Sequence, residues 1–196
     1  MSISGVVLAG GLGRRMGGVD KGLLDFLGKP LVAHVIARLQ PQVDEILINS
    51  NSNANREIER YAAFGYKVIA DDIAGYAGPL AGLHKGMRVA RHPYVLTVPC
   101  DSPLLPMNLA SRLMNALIQH DADLAVVKTG NQTHPVFCLC RKALLPNLES
   151  FLQQGGRQFS AWQNSLEVIE VAFNDNPQAF SNVNTPQELL ELEQAP

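Results

Sequence analysis

A glycine-rich segment near the amino terminus, from Val6 to Lys21, contains the residues with the clearest capacity for chemistry. It starts as an apolar run typical of a strand, then holds five glycines and ends on Asp20-Lys21. Glycine tolerates close approach of the backbone, so consecutive N–H groups of such a loop can surround an anion. Arg15 and Lys21 add charges suited to phosphate oxygens, the first as a planar fork and the second as a point charge. The segment therefore predicts a site for the phosphates of a nucleoside triphosphate.

Two common phosphate-binding motifs do not fit this segment. The dinucleotide fingerprint G-x-G-x-x-G needs a third glycine where the chain has Met16. The P-loop needs Ser or Thr after Gly-Lys, and Gly28-Lys29 is followed by Pro30. A glycine-rich turn that only connects two elements is the simpler alternative, but it does not explain three cations in one short loop.

The elements that must position this loop alternate between strand and helix. We interpret four apolar runs as the first strands, at residues 5–8, 45–48, 67–70 and 94–98. Proline at positions 30 and 79 suits the first turn of a helix after the first and third of these strands. Further strands are predicted at residues 124–127, 135–139 and 166–172, with a capping box at Thr185-Pro186-Gln187-Glu188 opening a last helix. The pattern predicts the α/β class, with a single-domain, doubly wound and mostly parallel sheet over residues 1–196.

Polar residues directly follow the predicted strands. Ligands of doubly wound sheets bind outside the carboxyl ends of the strands, where Asn49, Asp71 and Asp101 are expected. Asp101 is the leading candidate metal ligand, because Mg²⁺ takes one or two carboxylates together with waters and substrate phosphates. An aspartate before Ser102-Pro103 can equally cap a helix or form a turn, so position alone leaves both interpretations open.

Several motifs resemble those of known nucleotidyltransferases. Leu8-Ala9-Gly10-Gly11, Arg15-Met16-Gly17 and Asp20-Lys21 follow the signature L-A-G-G-x(3)-R-M-G-x(2)-D-K. Within that superfamily the whole chain resembles the molybdenum cofactor guanylyltransferase family (MobA type), which transfers GMP from GTP to molybdopterin and releases pyrophosphate. The further matching stretches are Gly78-Pro79-Leu80-Ala81-Gly82, Pro99-Cys100-Asp101 and Asn182-Val183-Asn184-Thr185-Pro186.

The resemblance implies a role for each matching residue and a Rossmann-like nucleotidyltransferase fold. Catalysis is assigned to Arg15, Lys21 and Asp101, with Asp101 also binding Mg²⁺. GTP contacts are assigned to Leu8, Ala9, Gly10, Gly11, Lys21, Asn49, Asp71, Gly78, Gly82 and Asp101. Molybdopterin contacts are assigned to Asn182, Asn184 and Arg157, and Thr133-His134-Pro135 resembles a family stretch that faces the pterin. The two asparagines can also serve only to shape the loop before the capping box, and Arg157 rests mainly on its position.

Composition limits the other classes of function. The chain has 196 residues, 46% of them hydrophobic and 17% charged, with a net charge of −2, which excludes a general nucleic-acid or membrane-surface role. Cys138 and Cys140 alternate in an apolar run, which favours a buried strand over a metal site. No apolar leader or long apolar span is present, so we predict a cytoplasmic protein. The family resemblance implies transient contacts with other proteins of molybdenum cofactor biosynthesis.

Two alternatives to the guanylyltransferase remain open from the sequence. One is a nucleotidyltransferase of the same fold that uses CTP or a sugar 1-phosphate acceptor. The other is a GTP-binding adaptor without catalysis, which would bind GTP but release no pyrophosphate with any acceptor.

Overall fold

A seven-stranded sheet forms the centre of the protein in a computed structural model that describes residues 1–9, 20–50, 55–72, 78–183 and 185–193. Four predicted site residues lie outside the described residues: Gly10, Gly11, Arg15 and Asn184. The strands are β1 (Ile3–Leu8), β2 (Asp25–Phe26), β3 (Lys29–Pro30), β4 (Glu45–Asn49), β5 (Lys67–Ile69), β6 (Tyr94–Pro99), β7 (Leu124–Thr129), β8 (Gln132–Arg141) and β9 (Val168–Ala172). The helices are α1 (Leu31–Leu39), α2 (Asn55–Ala62), α3 (Pro79–Val89), α4 (Leu109–Gln119), α5 (Leu145–Gln153), α6 (Phe159–Gln163) and α7 (Pro186–Glu193).

The order of strands in the main sheet is β5-β4-β1-β6-β8-β7-β9, while β2 and β3 pair in a separate hairpin. Parallel pairing joins β5, β4, β1 and β6, and also β7 and β9, whereas β8 is antiparallel to both of its neighbours. The mostly parallel sheet is therefore confirmed. The assignment of residues 1–196 to a single domain stays a prediction.

The register of the central strands brings their carboxyl ends to one level. Leu8 is opposite Asn49 of β4 on one side and Pro99 of β6 on the other, and Asn49 is opposite Ile69 of β5. The residues that follow these strands therefore emerge at the same edge of the sheet, as the sequence predicted.

Helices cover both faces of the sheet. Val7 packs in a buried cluster that contains the apolar faces of α1 and α4, while its neighbour Val6 packs in a second cluster with α3 and α5. Adjacent side chains of a strand point to opposite faces, which explains why both valines are fully buried. The doubly wound arrangement is confirmed by these two layers.

The three cysteines are buried and free of disulfides. Cys138 and Cys140 lie on the same face of β8 and pack in the cluster beneath α3 and α5. Burial raises the pKa of the Cys138 thiol to about 12, so it stays a neutral, apolar side chain. This confirms the interpretation of this pair as part of a buried strand.

None of the helices in the described part of the chain is both long and apolar enough to cross a membrane.

Candidate active site

Lys21 and Asp101 meet at the carboxyl edge of the sheet. Lys21 begins a single 3₁₀ turn, Lys21–Leu23, and Asp101 follows the end of β6 by two residues. The Lys21 Nζ atom lies 3.6 Å from Asp101 Oδ2. The lysine side chain is 25% exposed and that of the aspartate only 10%, so a ligand can reach the lysine while the carboxylate lies at the base of the site.

The Asp101 carboxyl is perturbed by its surroundings. Burial raises its pKa above the ordinary value, and the positive charge of Lys21 opposes that rise. Because burial disfavours the charged carboxylate even with Lys21 beside it, a metal ion or further cations would stabilise the charged form.

Asn49 and Asp71 form the second part of the site. Asn49 is the last residue of β4 and only 3% exposed, and its Nδ2 donates a hydrogen bond to Asp71 Oδ1 at 2.8 Å. The carboxylate of Asp71, which follows β5, is thereby held in one orientation.

Gly82 of α3 makes room for the Asn49 side chain. A Cβ atom at position 82 would overlap Asn49 Oδ1 and approach Leu8 Cδ2 to 2.7 Å. The helix can therefore lie close to the strand ends only with glycine at this position. Gly78 lies directly before the start of α3.

Two backbone groups at the carboxyl end of β1, just before the predicted phosphate loop, already form hydrogen bonds within the sheet. The Ala9 N–H donates to Asn49 O at 2.7 Å, and Leu8 O accepts from the Cys100 N–H at 3.1 Å. A contact of these two residues with a nucleotide would therefore depend on other atoms of their backbone.

Asn182 is held beside Asp101 by two hydrogen bonds. Its Oδ1 accepts from Ser102 Oγ at 2.9 Å, and the next residue, Val183, donates its N–H to Asp101 O at 3.0 Å. The capping box that follows is confirmed: Glu188 N donates to Thr185 Oγ1 at 3.1 Å and Thr185 N donates to Glu188 Oε2 at 3.2 Å. The chain after β9 thus returns to the carboxyl end of β6.

Arg157 is engaged elsewhere. Its Nη1 donates to the carbonyl oxygens of Leu152 at 2.9 Å and Gly156 at 2.7 Å, at the carboxyl end of α5. Within the described residues no hydrogen bond or ion pair joins it to Asp101 or Asn182. Its contact with an acceptor stays a prediction.

A cavity of about 570 Å³ opens next to Asn182. It lies between the amino-terminal half of β8 and the 3₁₀ turn Pro177–Phe180. Its lining residues are Pro99, Thr129, Gln132, Thr133, His134, Pro135, Val136, Phe137, Pro177, Gln178, Phe180, Ser181 and Asn182. The volume is in the range typical of sites for small organic ligands.

Aromatic side chains form part of the cavity wall. The His134 and Phe180 rings lie 5.6 Å apart between centroids, with a tilt of 36°. His134 Nε2 lies 2.7 Å from Thr129 Oγ1, and burial lowers the pKa of this histidine, which favours its neutral form. Sequence reasoning included His134 but missed Phe180, since nothing in the sequence places residue 180 opposite residue 134.

The fold is that of an α/β protein with a mostly parallel sheet, and the candidate site lies at the carboxyl ends of the central strands, where sheets of this kind bind nucleotides. The model of the MobA-like NTP transferase domain matches residues 5–168. The chain therefore belongs to the MobA-like NTP transferase family.

Relatives match along almost the whole chain. The chain is 46% identical over 188 residues to the molybdenum cofactor guanylyltransferase of Shewanella putrefaciens, with 96% of this chain and 94% of the relative covered. It is 46% identical over 199 residues to the molybdenum cofactor guanylyltransferase of Ralstonia nicotianae, covering 97% and 95% of the two chains. The crystal structure of molybdopterin-guanine dinucleotide biosynthesis protein A from Archaeoglobus fulgidus has the same fold, with a TM-score of 0.81, 22% identity and 97% of both chains covered.

Proposed function

We propose that this protein is an enzyme that transfers GMP from GTP to molybdopterin, the reaction of a molybdenum cofactor guanylyltransferase, and releases pyrophosphate. The observation that carries the proposal is the Lys21–Asp101 pair, 3.6 Å apart, at the edge of the sheet where the predicted phosphate loop ends. Relatives that carry this activity in their names are 46% identical along nearly the whole chain.

Asp101 fits a role as ligand of Mg²⁺. It offers hard carboxylate oxygens from a buried position, and Mg²⁺ sites commonly combine one or two carboxylates with waters and substrate phosphates. When bound, Mg²⁺ would neutralise charge on the phosphates as pyrophosphate departs.

Lys21 supplies the second charge. Its exposed ammonium group can contact the phosphate chain of GTP and stabilise the negative charge of the leaving pyrophosphate. Arg15 is proposed to act in the same way. The guanosine lies on the side of Asn49 and Asp71, where the fixed Asp71 carboxylate can accept hydrogen bonds from ribose hydroxyls or guanine N–H groups.

The cavity beside Asn182 is the proposed site of the acceptor. The partly buried His134 ring on its wall, backed by the buried ring of Phe180, offers an aromatic surface for the pterin. The terminal phosphate of molybdopterin would approach Asp101 along this cavity and attack the α-phosphorus of GTP in line. A phosphate monoester is already ionised near neutral pH, so the step requires positioning and charge stabilisation rather than a general base.

The test of this function is pyrophosphate release from purified protein with Mg²⁺ and molybdenum-loaded molybdopterin, with GTP and CTP supplied in separate reactions. Release with GTP alone supports the proposal. Release with CTP alone would reassign the base, and GTP binding without release would favour another acceptor or the adaptor.

Asp101→Asn is the matching variant, because asparagine keeps the size of the side chain and removes its charge. We expect turnover to fall by at least about 10²-fold, the loss typical of removing one charge-stabilising group. The melting temperature should change by no more than about 4 °C, the shift that 1 kcal/mol produces in a chain of this size. Near-normal turnover would contradict the assignment of Asp101.

A further inference from the structure

Tyr61 of α2 contacts the end of the predicted phosphate loop although it lies 40 residues further along the chain than Lys21. Its ring is completely buried in the core cluster beneath α1. Its phenol Oη donates a hydrogen bond of 2.6 Å to Asp20 Oδ1. A distance this short is typical of a hydroxyl bound to an ionised carboxylate.

Asp20 also forms hydrogen bonds with the 3₁₀ turn that contains Lys21, and so connects Tyr61 to this turn. The same Oδ1 atom accepts a hydrogen bond from the Gly22 N–H at 3.0 Å, so the side chain caps the 3₁₀ turn Lys21–Leu23. The Asp20 carbonyl oxygen accepts a further bond from the Leu23 N–H at 3.1 Å. These bonds join Asp20, which precedes Lys21, to Gly22 and Leu23, which follow it, so the backbone of Lys21 is held between them.

Gly22 allows the 3₁₀ turn to pack closely against Tyr61 and Cys100. A Cβ atom at this position would lie 2.5 Å from Tyr61 Oη and 3.0 Å from Cys100 Sγ, so only glycine allows the turn to come this close to both. Cys100 directly precedes Asp101. Tyr61, the 3₁₀ turn and the end of β6 therefore meet at one point, and the Lys21–Asp101 pair lies beside it.

We infer that Tyr61 is a positioning residue for catalysis: through Asp20 it fixes the turn that holds the Lys21 ammonium group against the phosphate chain and Asp101. In this proposal Tyr61 acts through Asp20 and Lys21 and not by direct contact with substrate or metal. The inference rests on the proposed phosphate-binding role of Lys21.

A double-mutant cycle tests whether Tyr61 acts through Lys21. The proteins are the wild type, Tyr61→Phe, Lys21→Ala and the double variant, and the probe is inorganic tripolyphosphate with Mg²⁺, measured by calorimetry. Tyr61→Phe keeps the buried ring and removes only the hydroxyl. We expect it to weaken tripolyphosphate binding about tenfold to a hundredfold, the size of a lost hydrogen bond to a charged group. In the Lys21→Ala background the same change should have almost no effect.

Tyr94→Phe is the matched control, because Tyr94 is partly buried and begins β6 at the opposite edge of the sheet. It should leave tripolyphosphate binding unchanged. An equal loss of binding from Tyr61→Phe in both backgrounds would show a merely structural role, and no loss in the wild-type background would remove Tyr61 from the site. A wild type that does not bind tripolyphosphate would also overturn the inference.

The same four proteins separate this inference from the proposed function. In pyrophosphate release, Tyr61→Phe should raise KM for GTP and lower kcat in the wild-type background and change neither in the Lys21→Ala background. If the wild type binds tripolyphosphate with the expected coupling but releases no pyrophosphate from GTP and molybdopterin, the proposed reaction is wrong, while the role of Tyr61 in positioning Lys21 for phosphate binding stands.

Discussion

At the scale of single residues, the site depends on a few polar side chains with unequal exposure. Asp101 and Asn49 are buried, while Lys21 is partly open to solvent. A buried polar side chain is held by its partners and gives a fixed geometry. A partly exposed ammonium group on a flexible side chain can follow a ligand. Lys21 therefore supplies a mobile positive charge, whereas Asp101 and Asn49 supply polar groups at fixed positions.

Lys21→Ala tests this division. Loss of the ammonium group should raise KM for GTP and lower kcat together, with kcat/KM reduced by about 10²-fold or more, because its charge acts on both the bound phosphates and the departing pyrophosphate. Steady-state pyrophosphate release measures both constants. Lys67→Ala is the control, since Lys67 is exposed at the amino end of β5, and its constants should match the wild type. Equal constants for both variants would remove Lys21 from the site.

At the scale of elements, close packing of α3 on the strand ends shapes the nucleotide side of the site. Two glycines of this helix face the sheet: Gly82 lies against Asn49 and Leu8, and Gly86 lies against Val6. A Cβ atom at position 86 would lie 2.7 Å from Val6 Cγ2. The contact at Gly82 is the tighter of the two, and the neighbours differ: Gly82 lies against a polar side chain of the candidate site, whereas Gly86 lies against an apolar side chain of the core.

Gly82→Ala and Gly86→Ala therefore form a matched pair. Both should lower the melting temperature, because each forces a side chain or the helix to move, at a typical cost of about 1–3 kcal/mol. Only Gly82→Ala should also raise KM for GTP, because it displaces Asn49 and with it Asp71. Thermal unfolding and pyrophosphate release measure the two effects separately. A similar rise of KM in both variants would contradict the role of the Asn49–Asp71 contact.

Some helices and strands could be predicted from the sequence and others could not. Helix α1 and the capping box at Thr185 were predicted correctly because their signals are local: a proline suited to the start of a helix, and two polar side chains three residues apart. The hairpin of β2 and β3 has two residues in each strand, too few to show an alternating pattern. Helix α6 was not predicted either, because its five residues are too few to show the apolar repeat of a helix.

The site was predicted in the same uneven way. Asn49, Asp71 and Asp101 could be found because parallel strands end at one edge, and the structure confirms that placement. The cavity could not, because its walls come from residues about 45 positions apart, such as His134 and Phe180. They meet only because β8 runs antiparallel between β6 and β7, and local patterns do not specify that direction.

At the scale of the whole molecule, the candidate site and a cluster of polar side chains lie at opposite ends of the central strands. The candidate site occupies the carboxyl edge, while a polar cluster ties strands together at the amino edge. There, Glu45 accepts hydrogen bonds from Ser4 Oγ at 2.6 Å, from the Arg91 N–H at 2.9 Å and from Arg91 Nε at 2.8 Å. Asn49 lies four positions after Glu45 in β4, about 13 Å along an extended strand. Changes in this cluster should therefore alter stability without altering catalysis.

Glu45→Gln tests whether this cluster affects stability but not catalysis, and the pH dependence of stability is the measurement. Burial by itself raises the pKa of Glu45, but hydrogen bonds from Arg91 and Ser4 outweigh it and hold the pKa below its ordinary value. A carboxyl whose pKa is lowered by folding stabilises the native state fully above its unfolded pKa of about 4.3, and this contribution is lost as the pH falls through the lower native pKa. At pH 7 we expect the variant to lose about 1–3 kcal/mol of unfolding free energy, the value of hydrogen bonds to a charged group.

Urea unfolding of the wild type and the variant from pH 7 down to pH 3 measures this loss. The difference between the two proteins should be constant from pH 7 to about pH 5 and shrink below about pH 4.3, where the unfolded wild-type chain binds a proton at Glu45 before the native protein does. Glu59→Gln on the exposed side of α2 is the control, and its stability should follow the wild type throughout. Because Glu45 lies at the edge away from Lys21 and Asp101, pyrophosphate release at pH 7 should be unchanged. A difference in stability that does not depend on pH would mean that the charge of Glu45 is not what ties the amino ends of β1 and β4 to Arg91.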